Sequence, residues 1–388
     1  MKNKKVLIVL QYLEPGGIEW MVARFSESLL KGTSKWRPFV MVYDQGLAEP
    51  IDSFFHSRNI PLFRIQKNEG FSLKVVFSIL NLIWKERIEV IHVHHLGALI
   101  YAVIAKVLCF FQIKIIYTQH SFIHLKKIPR YQKLEKIFCH FADRITAVSE
   151  QVQREFKEYK IHQGAVDLIP NGSLFPNRVL CDKDKRQRER TVLITKEGLQ
   201  ERLSAQVNKN WILYLARIHS GKGQDTAIEL WNQCSEHQRE NSLLIFVGPI
   251  LDKDFFQTLK KLIEKAQSSS QIYILPASMN SIDWMRVSDV FLSCSESEGW
   301  PIAPLEALGA GVPVLLSQIE GHEMYKKYCH LFDLKNLKEA ATAIEKILDQ
   351  NFDAMRNQQW LKTEELRQKY SVETMALRYS KIYDQMFS

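Results

Sequence analysis

No Cys-x-x-Cys pair occurs anywhere in these 388 residues: the six cysteines, at 109, 139, 181, 234, 294 and 329, stand singly. That scatter argues against a zinc site or a disulfide framework and fits a reducing, cytoplasmic compartment. Nor does any apolar run reach the roughly 20 residues that cross a bilayer. The longest candidate, 96–111, carries Lys106 and reads as a helix buried between a sheet and a domain interface. The start is not expected to act as a secretory leader, because the apolar run Val6–Leu10 behind its basic residues stops at Gln11, too short for an h-region. It reads instead as a first buried strand. The charge-dense stretch 177–210 contains no aromatic residue, and its Lys183, Lys185, Arg186, Arg188 and Arg190 alternate with Asp182, Asp184 and Glu189. Without a stacking platform it reads as a linker plus a helix, and no nucleic-acid partner is expected.

Acidic charge is short in one half only. Residues 1–172 hold 24 Lys and Arg against 15 Asp and Glu, a net of +9, whereas the remainder holds 28 of each. The whole formal excess of +9 therefore sits in the first half and points that half toward something anionic: nucleic acid, a phospholipid surface or a phosphorylated substrate.

What the sequence does have is a folded-protein composition, 46% apolar and 24% charged, over a length that suits two domains. Short apolar runs at 6–10, 39–43, 90–93, 113–118 and 144–148 predict strands, and 167–172 closes the half with a strand and a turn. Between them 18–30 and 73–85 repeat at helical spacing. The pattern restarts at Trp211, with strands predicted at 212–215, 243–247, 271–275, 290–293 and 313–316, and 355–388 reads as wholly helical. Strands alternating with helices imply parallel sheets joined by right-handed crossovers. Ligands collect at the carboxyl ends of such strands, so two sheets facing each other would put the active site in the cleft between domains.

Four clusters fall at predicted strand ends. Glu14-Pro15-Gly16-Gly17 opens a helix, where glycine lets the backbone approach a ligand and the helix N-terminus attracts negative charge; a plain tight turn would look the same. Arg217 and Lys222, in a loop with Gly221 and Gly223, place two cations where a diphosphate could use them, or are ordinary surface charges. In Ser295–Ala307, Glu298 sits on a turn with Gly299, Trp300, Pro301 and Ile302, and Glu306 lies one to two turns into the helix. The frame offers carboxylates for sugar hydroxyls beside unsatisfied first-turn amides. His120 follows Thr118-Gln119. His92 and His94 would share one face of their strand, with no third ligand for a metal in sight. Asp182-Lys183-Asp184 and Asp252-Lys253-Asp254 have the Asp-x-Asp spacing of a metal chelate, yet the second reads better as the cap of a helix beginning near Phe255. No metal site is expected.

Taken together, these clusters resemble the retaining GT-B glycosyltransferases of family 4, over nearly the whole chain. The most specific element is the Glu-x7-Glu signature, Glu298 to Glu306. Supporting it in order are the Gly16-Gly17-Ile18-Glu19 turn, His120, Ala147–Glu150, Ile169–Gly172 and Arg217–Asp225. The resemblance implies an α/β fold of GT-B type, two Rossmann-like domains with parallel sheets facing across a cleft. It implies an acceptor domain over 1–176, a linker and helix over 177–210, a nucleotide-sugar domain over 211–365, and a C-terminal helix, 366–388, packing back on the first domain. Arg217 and Lys222 would neutralise the diphosphate in place of a divalent ion, Glu306 would hold the ribose, Glu298 would contact the donor sugar, and His120 would sit near the anomeric centre. Gly16 and Gly17 would line the phosphate or acceptor side. The sequence departs from the family at Pro301, where many relatives have glycine, and at 319–323, which matches the family's Gly-Gly-x-x-Glu segment only loosely.

The activity so implied is transfer of a hexose-type sugar from a UDP- or GDP-type donor, with no cofactor, to a saccharide or lipid-linked acceptor in surface polysaccharide or glycolipid assembly. The basic segment 124–140, with Lys126, Lys127, Arg130, Lys133, Lys136, Tyr131 and Phe138, would rest on the anionic inner face of the membrane or bind a phosphorylated acceptor such as a lipid-linked sugar, or is simply a solvated helix face. Competing readings are a GT-B-fold sugar-nucleotide epimerase, which needs no acceptor, and a non-catalytic nucleotide-sugar- or polyanion-binding protein.

Overall fold

The computed structural model describes residues 4–13, 16–32, 34–44, 49, 51–122, 128, 130–350 and 352–387. It divides into two compact units, Met1–Gly172 with Tyr370–Ser388, and Ser173–Lys369. Among the described residues, the first unit carries seven strands: β1 (Lys4–Leu10), β2 (Trp36–Val42), β3 (Leu62–Arg64), β4 (Val90–His94), β5 (Lys114–Gln119), β6 (Arg144–Ala147) and β7 (Asp167–Leu168). The second carries six: β8 (Asn210–Leu215), β9 (Ser242–Val247), β10 (Ile272–Leu275), β11 (Val290–Ser293), β12 (Val314–Ser317) and β13 (His330–Phe332). The spatial orders are β3-β2-β1-β4-β5-β6-β7 and β10-β9-β8-β11-β12-β13, every pair parallel. Both are doubly wound, and the order reverses between β1 and β4 in one sheet and between β8 and β11 in the other. These are the two points at which such sheets bind ligands.

The strands are legible because a parallel sheet covered on both faces buries an unbroken apolar run; Val6, Leu7, Ile8 and Val9 are all fully buried. Two strands escaped the sequence pattern. β3 and β13 are three-residue edge strands in which only Phe332 is fully buried, so neither has a period to read. The stretch 96–111 differs from expectation at its end. Its helix, His95–Leu108, is buried through Leu96, Leu99, Tyr101 and Val103, but Phe110 and Phe111 lie beyond it and are exposed. No described helix is long and apolar enough to cross a membrane.

The segment 177–210 lies within the second unit. Its helix, Lys183–Lys196, is capped by Asp182, which accepts from the Lys185 amide at 2.7 Å. The basic cluster expected on it splits in two: Lys183, Lys185 and Arg188 are exposed, while Arg186 and Arg190 are buried. Arg190 pairs with Asp289 at 2.5 Å and donates to the Val287 carbonyl, tying this helix to the start of β11. Asp252 caps Lys253–Lys265, accepting from the Phe255 amide at 2.9 Å. Both Asp-x-Asp triplets thus contribute helix caps. Near the C-terminus the helical run is interrupted. Phe352–Lys362 and Glu364–Lys369 belong to the second unit, and Val372–Gln385 belongs to the first, packed on the helix Gly17–Lys31. Gly172 is required there, since a Cβ would lie 2.7 Å from the Ser371 carbonyl oxygen.

Candidate active site

In the second unit, the loops after β8 and β11 meet at the point where strand order reverses. After β8 the chain runs through exposed Arg217 into a short turn, Ser220–Lys222, and then Gly223, whose φ is +68°. A Cβ on Gly223 would stand 2.2 Å from the Cys294 carbonyl oxygen. Glycine is therefore needed both for the left-handed conformation and for the close approach of two backbones. Tyr214, buried at the end of β8, ties the same two loops together: its hydroxyl donates to the Lys222 carbonyl and accepts from the Cys294 amide at 2.7 Å. The Glu296 amide adds a bond to the Gly221 carbonyl at 3.4 Å.

This scaffold presents the charged residues. Lys222 Nζ lies 2.6 Å from Glu298 Oε1, both side chains about one-fifth exposed. Gly299 and Trp300 complete the turn, Pro301 is the N-cap, and Ile302 is the first residue of the helix Ile302–Gly309, whose N-terminus no side chain caps. The Tyr325 hydroxyl donates to the Pro301 carbonyl at 3.0 Å and holds this helix start in place. Glu306, about one turn in, is only 4% exposed and accepts from the Ser173 hydroxyl at 2.7 Å. Seven of the residues expected from sequence, Lys222, Glu298, Gly299, Trp300, Pro301, Ile302 and Glu306, therefore belong to one loop-and-helix frame. Arg217 stands apart on the adjoining loop, with no side-chain partner among the described residues.

His322 joins this frame. It is fully buried, and its Nδ1–H donates to the Ser317 carbonyl at 2.8 Å, which leaves Nε2 as the bare acceptor nitrogen. Among the described residues Nε2 has no partner. Burial holds its pKa below the usual histidine range, while Glu298 and Lys222 act on it in opposite senses. Its neighbour Gly321 explains the tight local fit, because a Cβ there would lie 2.3 Å from the Glu298 carbonyl oxygen. A cavity of about 230 Å³ also opens in this unit, lined by Arg186, Arg190, Asn210 and Asp289 among others. It lies at the amino ends of β8 and β11, at the edge of the sheet opposite the Lys222–Glu298 pair.

The first unit gathers histidines where the second gathers charges. His94 Nδ1 and His120 Nε2 share a hydrogen bond of 2.9 Å, and His120 Nδ1 faces Asn171 Nδ2 at 3.4 Å. His92 stacks on His94 with ring centroids 4.5 Å apart and bonds Tyr383 at 2.6 Å and Thr118 at 2.7 Å. Gln119 orients the turn, its side-chain oxygen accepting from the His120 amide at 2.9 Å. Burial keeps all three imidazoles neutral: His92 is pushed down to about 3, and His94 and His120 fall well below the usual range, each imidazole disfavouring charge on the next. His95, at the start of its helix, has φ +69°, a strained backbone for a non-glycine residue of the kind that clusters at functional sites.

At the end of β1, Gly16 is the N-cap of Gly17–Lys31; Glu14 and Pro15 lie outside the described residues. The Glu19 carboxylate folds back over Gly16, so that a Cβ there would be 2.3 Å from Glu19 Oε2. The positive end of this helix already has an acid beside it. Of the basic segment, Lys126 and Lys127 lie outside the described residues, and Arg130–Cys139 is a helix. Among the described residues, no three His, Cys, Asp or Glu side chains come together as metal ligands would.

Four contributors had no signal in the sequence pattern. Tyr214 falls inside a predicted strand, Tyr383 inside the helical run 355–388, and Ser173 just after the predicted turn at 167–172. His322 sits in the segment whose motif match was loose.

Comparison with known proteins follows the same division. The model for Glycosyltransferase Family 4 matches residues 15–173, and that for Glycosyl transferases group 1 matches residues 195–366. Domain by domain, the chain carries the two domains of a GT-B glycosyltransferase of the family 4 type. Among particular relatives, the lipopolysaccharide glucosyltransferase WaaG of Escherichia coli (strain K12) is 27% identical over 169 residues, 44% of this chain and 42% of that protein. N-acetyl-alpha-D-glucosaminyl L-malate synthase of Bacillus anthracis is 21% identical over 271 residues, 69% of this chain and 66% of that one. The chain thus spans less than two thirds of the length of these two curated relatives. Of solved structures, Anabaena HepE in complex with UDP and glucose aligns with a TM-score of 0.77 at 17% identity, covering 98% of this chain and 100% of that chain. Sucrose-phosphate synthase from Thermosynechococcus elongatus gives 0.78 at 17% identity, covering 99% of each. At such identities the likeness speaks for the fold.

Proposed function

We propose that this chain is a retaining, metal-independent glycosyltransferase. It moves a hexose-type sugar from a UDP- or GDP-type donor to a saccharide or lipid-linked acceptor, in surface polysaccharide or glycolipid assembly on the cytoplasmic side of a membrane. The observation that carries the reading is the Lys222–Glu298 pair beside the uncapped start of the helix that bears Glu306. Relatives named for glucosyl transfer to lipopolysaccharide and for O-antigen biosynthesis, and a neighbour crystallised with UDP-glucose, support the donor and the setting.

Breaking the bond from sugar C1 to the phosphate oxygen leaves an oxocarbenium-like sugar and a developing anion. Lys222, Arg217 and the first-turn amides from Ile302 onward stabilise that anion; fixed cations and amides of this kind supply the largest catalytic term. Lys222 is held by Glu298 before the donor arrives, so the diphosphate takes over the ammonium and Glu298 turns to a sugar hydroxyl. Glu306, fixed by Ser173, holds the ribose. His120, kept neutral, can donate or accept a hydrogen bond without adding positive charge beside the cationic sugar. No carboxylate is assigned as a nucleophile, so the acceptor oxygen attacks from the side the phosphate leaves, and its proton passes to the departing phosphate oxygen. Gly16 and Gly17, with Glu19 already at their helix start, suit acceptor hydroxyls better than phosphate.

Calorimetry with UDP, GDP and their hexose conjugates, in chelator, tests this directly. One diphosphate should bind without metal, and Glu298→Gln should bind the bare diphosphate at least as well while losing transfer. If no nucleotide binds, or binding demands a divalent ion, the reading falls.

A further inference from the structure

The first unit exposes more aromatic surface than sugar transfer requires. The helix Leu73–Glu86 buries Val75, Val76, Ile79, Leu80 and Leu82, yet its outer face is apolar as well. Leu73, Phe77 and Trp84 are 59, 61 and 65% exposed, and their spacing of four and then seven residues forms one stripe along the helix. A second projection lies at the end of the helix His95–Leu108, where Phe110 is 85% exposed and Phe111 is 54% exposed. Their φ angles are +53° and +60°, a left-handed pair that bulky side chains avoid and that persists only where the surroundings enforce it. Buried Cys109 and the bond from the Phe111 amide to the Lys106 carbonyl, 2.8 Å, fix the tip. Leu73–Glu86 packs on His95–Leu108, which packs in turn on Arg130–Cys139, whose Ile137 is also exposed. The first two helices both return to the amino edge of a parallel sheet, so Trp84 and the phenylalanine tip reach the same edge.

The charge on this face has one sign. Lys74, Lys85, Arg87, Lys133 and Lys136 are exposed, and among the described residues none has a carboxylate within ion-pair distance. The neighbouring acids are engaged: Glu86 with Lys5, Asp143 with Lys106 and Lys114, and buried Glu135 with Tyr117 and Gln119. Exposed Glu69 lies before the stripe begins. Rings on a convex helix and a protruding tip, flanked by long cationic stems, fit a fluid anionic surface better than a shaped protein groove.

We propose that this face, formed by Leu73, Phe77, Trp84, Phe110 and Phe111 with their flanking lysines, docks the first unit on an anionic bilayer. The rings enter the boundary between headgroups and acyl chains, and the ammonium groups meet lipid phosphates. The proposal deepens the reading of a lipid-linked acceptor and rests on it for its purpose. Its test uses no sugar nucleotide, so the two fail separately.

The test is flotation of the full chain with vesicles of phosphatidylcholine alone, or of phosphatidylcholine mixed with phosphatidylglycerol. The protein should float with the mixed vesicles, stay behind with the neutral ones, and be released by added salt. Phe110→Asn combined with Phe111→Asn should reduce flotation about tenfold, with melting unchanged because asparagine tolerates the left-handed region. Lys74→Glu with Lys85→Glu should reduce it while leaving the rings intact. Failure of the wild type to float, or equal flotation of the variants, overturns the proposal. So does a dimer in sedimentation that the phenylalanine variant abolishes, since the face would then belong to a second copy.

Discussion

The two units share one strand order, yet they set opposite chemistry on the strands at and beside its reversal point. Where β4 and β5 end, the first unit places His92, His94 and His120, three buried imidazoles bonded to hydroxyls, an amide and each other, and burial keeps them neutral. Where β8 and β11 end, the second places a lysine, two glutamates and a nearby arginine. The topology fixes where a ligand can bind, and the side chains decide what it can be. A neutral polar cluster suits hydroxyls and a sugar that becomes cationic, and a charged frame suits a diphosphate.

The sharpest way to break that division is to remove one residue from each side. Lys222→Ala and His120→Ala should each slow transfer by about a hundred- to a thousandfold. Only Lys222→Ala should also lose the nucleoside diphosphate in calorimetry. A His120→Ala protein that no longer binds nucleotide would erase the distinction.

The frame around Glu298 and Glu306 was legible because strand, turn, proline and helix are consecutive, and buried parallel strands announce themselves as apolar runs. What stayed hidden depends on residues far apart in the chain. Tyr214 reaches Lys222 and Cys294 through an oxygen that a strand pattern counts as part of an apolar ring. Tyr379 and Tyr383 come from the last helix to meet Thr118 and His92. Arg190 read as one of the alternating charges of a linker helix, and nothing local showed that Asp289 would bury it. Phe110 and Phe111 looked like the end of a buried helix, because periodicity cannot tell where a helix stops when the next residues are apolar too.

Acid should separate the units next. Above the unfolded histidine value, near 6.5, both states are neutral and stability is flat. Below it the unfolded chain takes up protons that the buried imidazoles refuse, so stability falls as pH drops from about 6.5 toward the folded His92 value of about 3. Each such histidine contributes up to about 1.4 kcal/mol per pH unit. The first unit has three fully buried, and the second has His322. Hydrogen-exchange protection of β4 and β5 should therefore decline between pH 7 and pH 5 more steeply than that of β8 and β11. Equal declines would mean that the first unit's histidines are hydrated or already charged.

The smallest effect compares the two glycine turns. Gly223→Ala puts a methyl group against the Cys294 carbonyl oxygen on a backbone with φ +68°, and neither the carbonyl nor the dihedral can yield without parting the two loops. That change should cost about 1–3 kcal/mol and weaken nucleotide binding with it. Gly16→Ala meets only the end of the Glu19 side chain, on a backbone with φ −136° that any residue adopts. The carboxylate can swing aside, so the cost should stay within about 0.5 kcal/mol. Melting temperatures of the two variants decide the matter. If Gly16→Ala is as damaging as Gly223→Ala, the Glu19 carboxylate is rigidly held over the first helix, and the first unit's turn is as closely built as the second's.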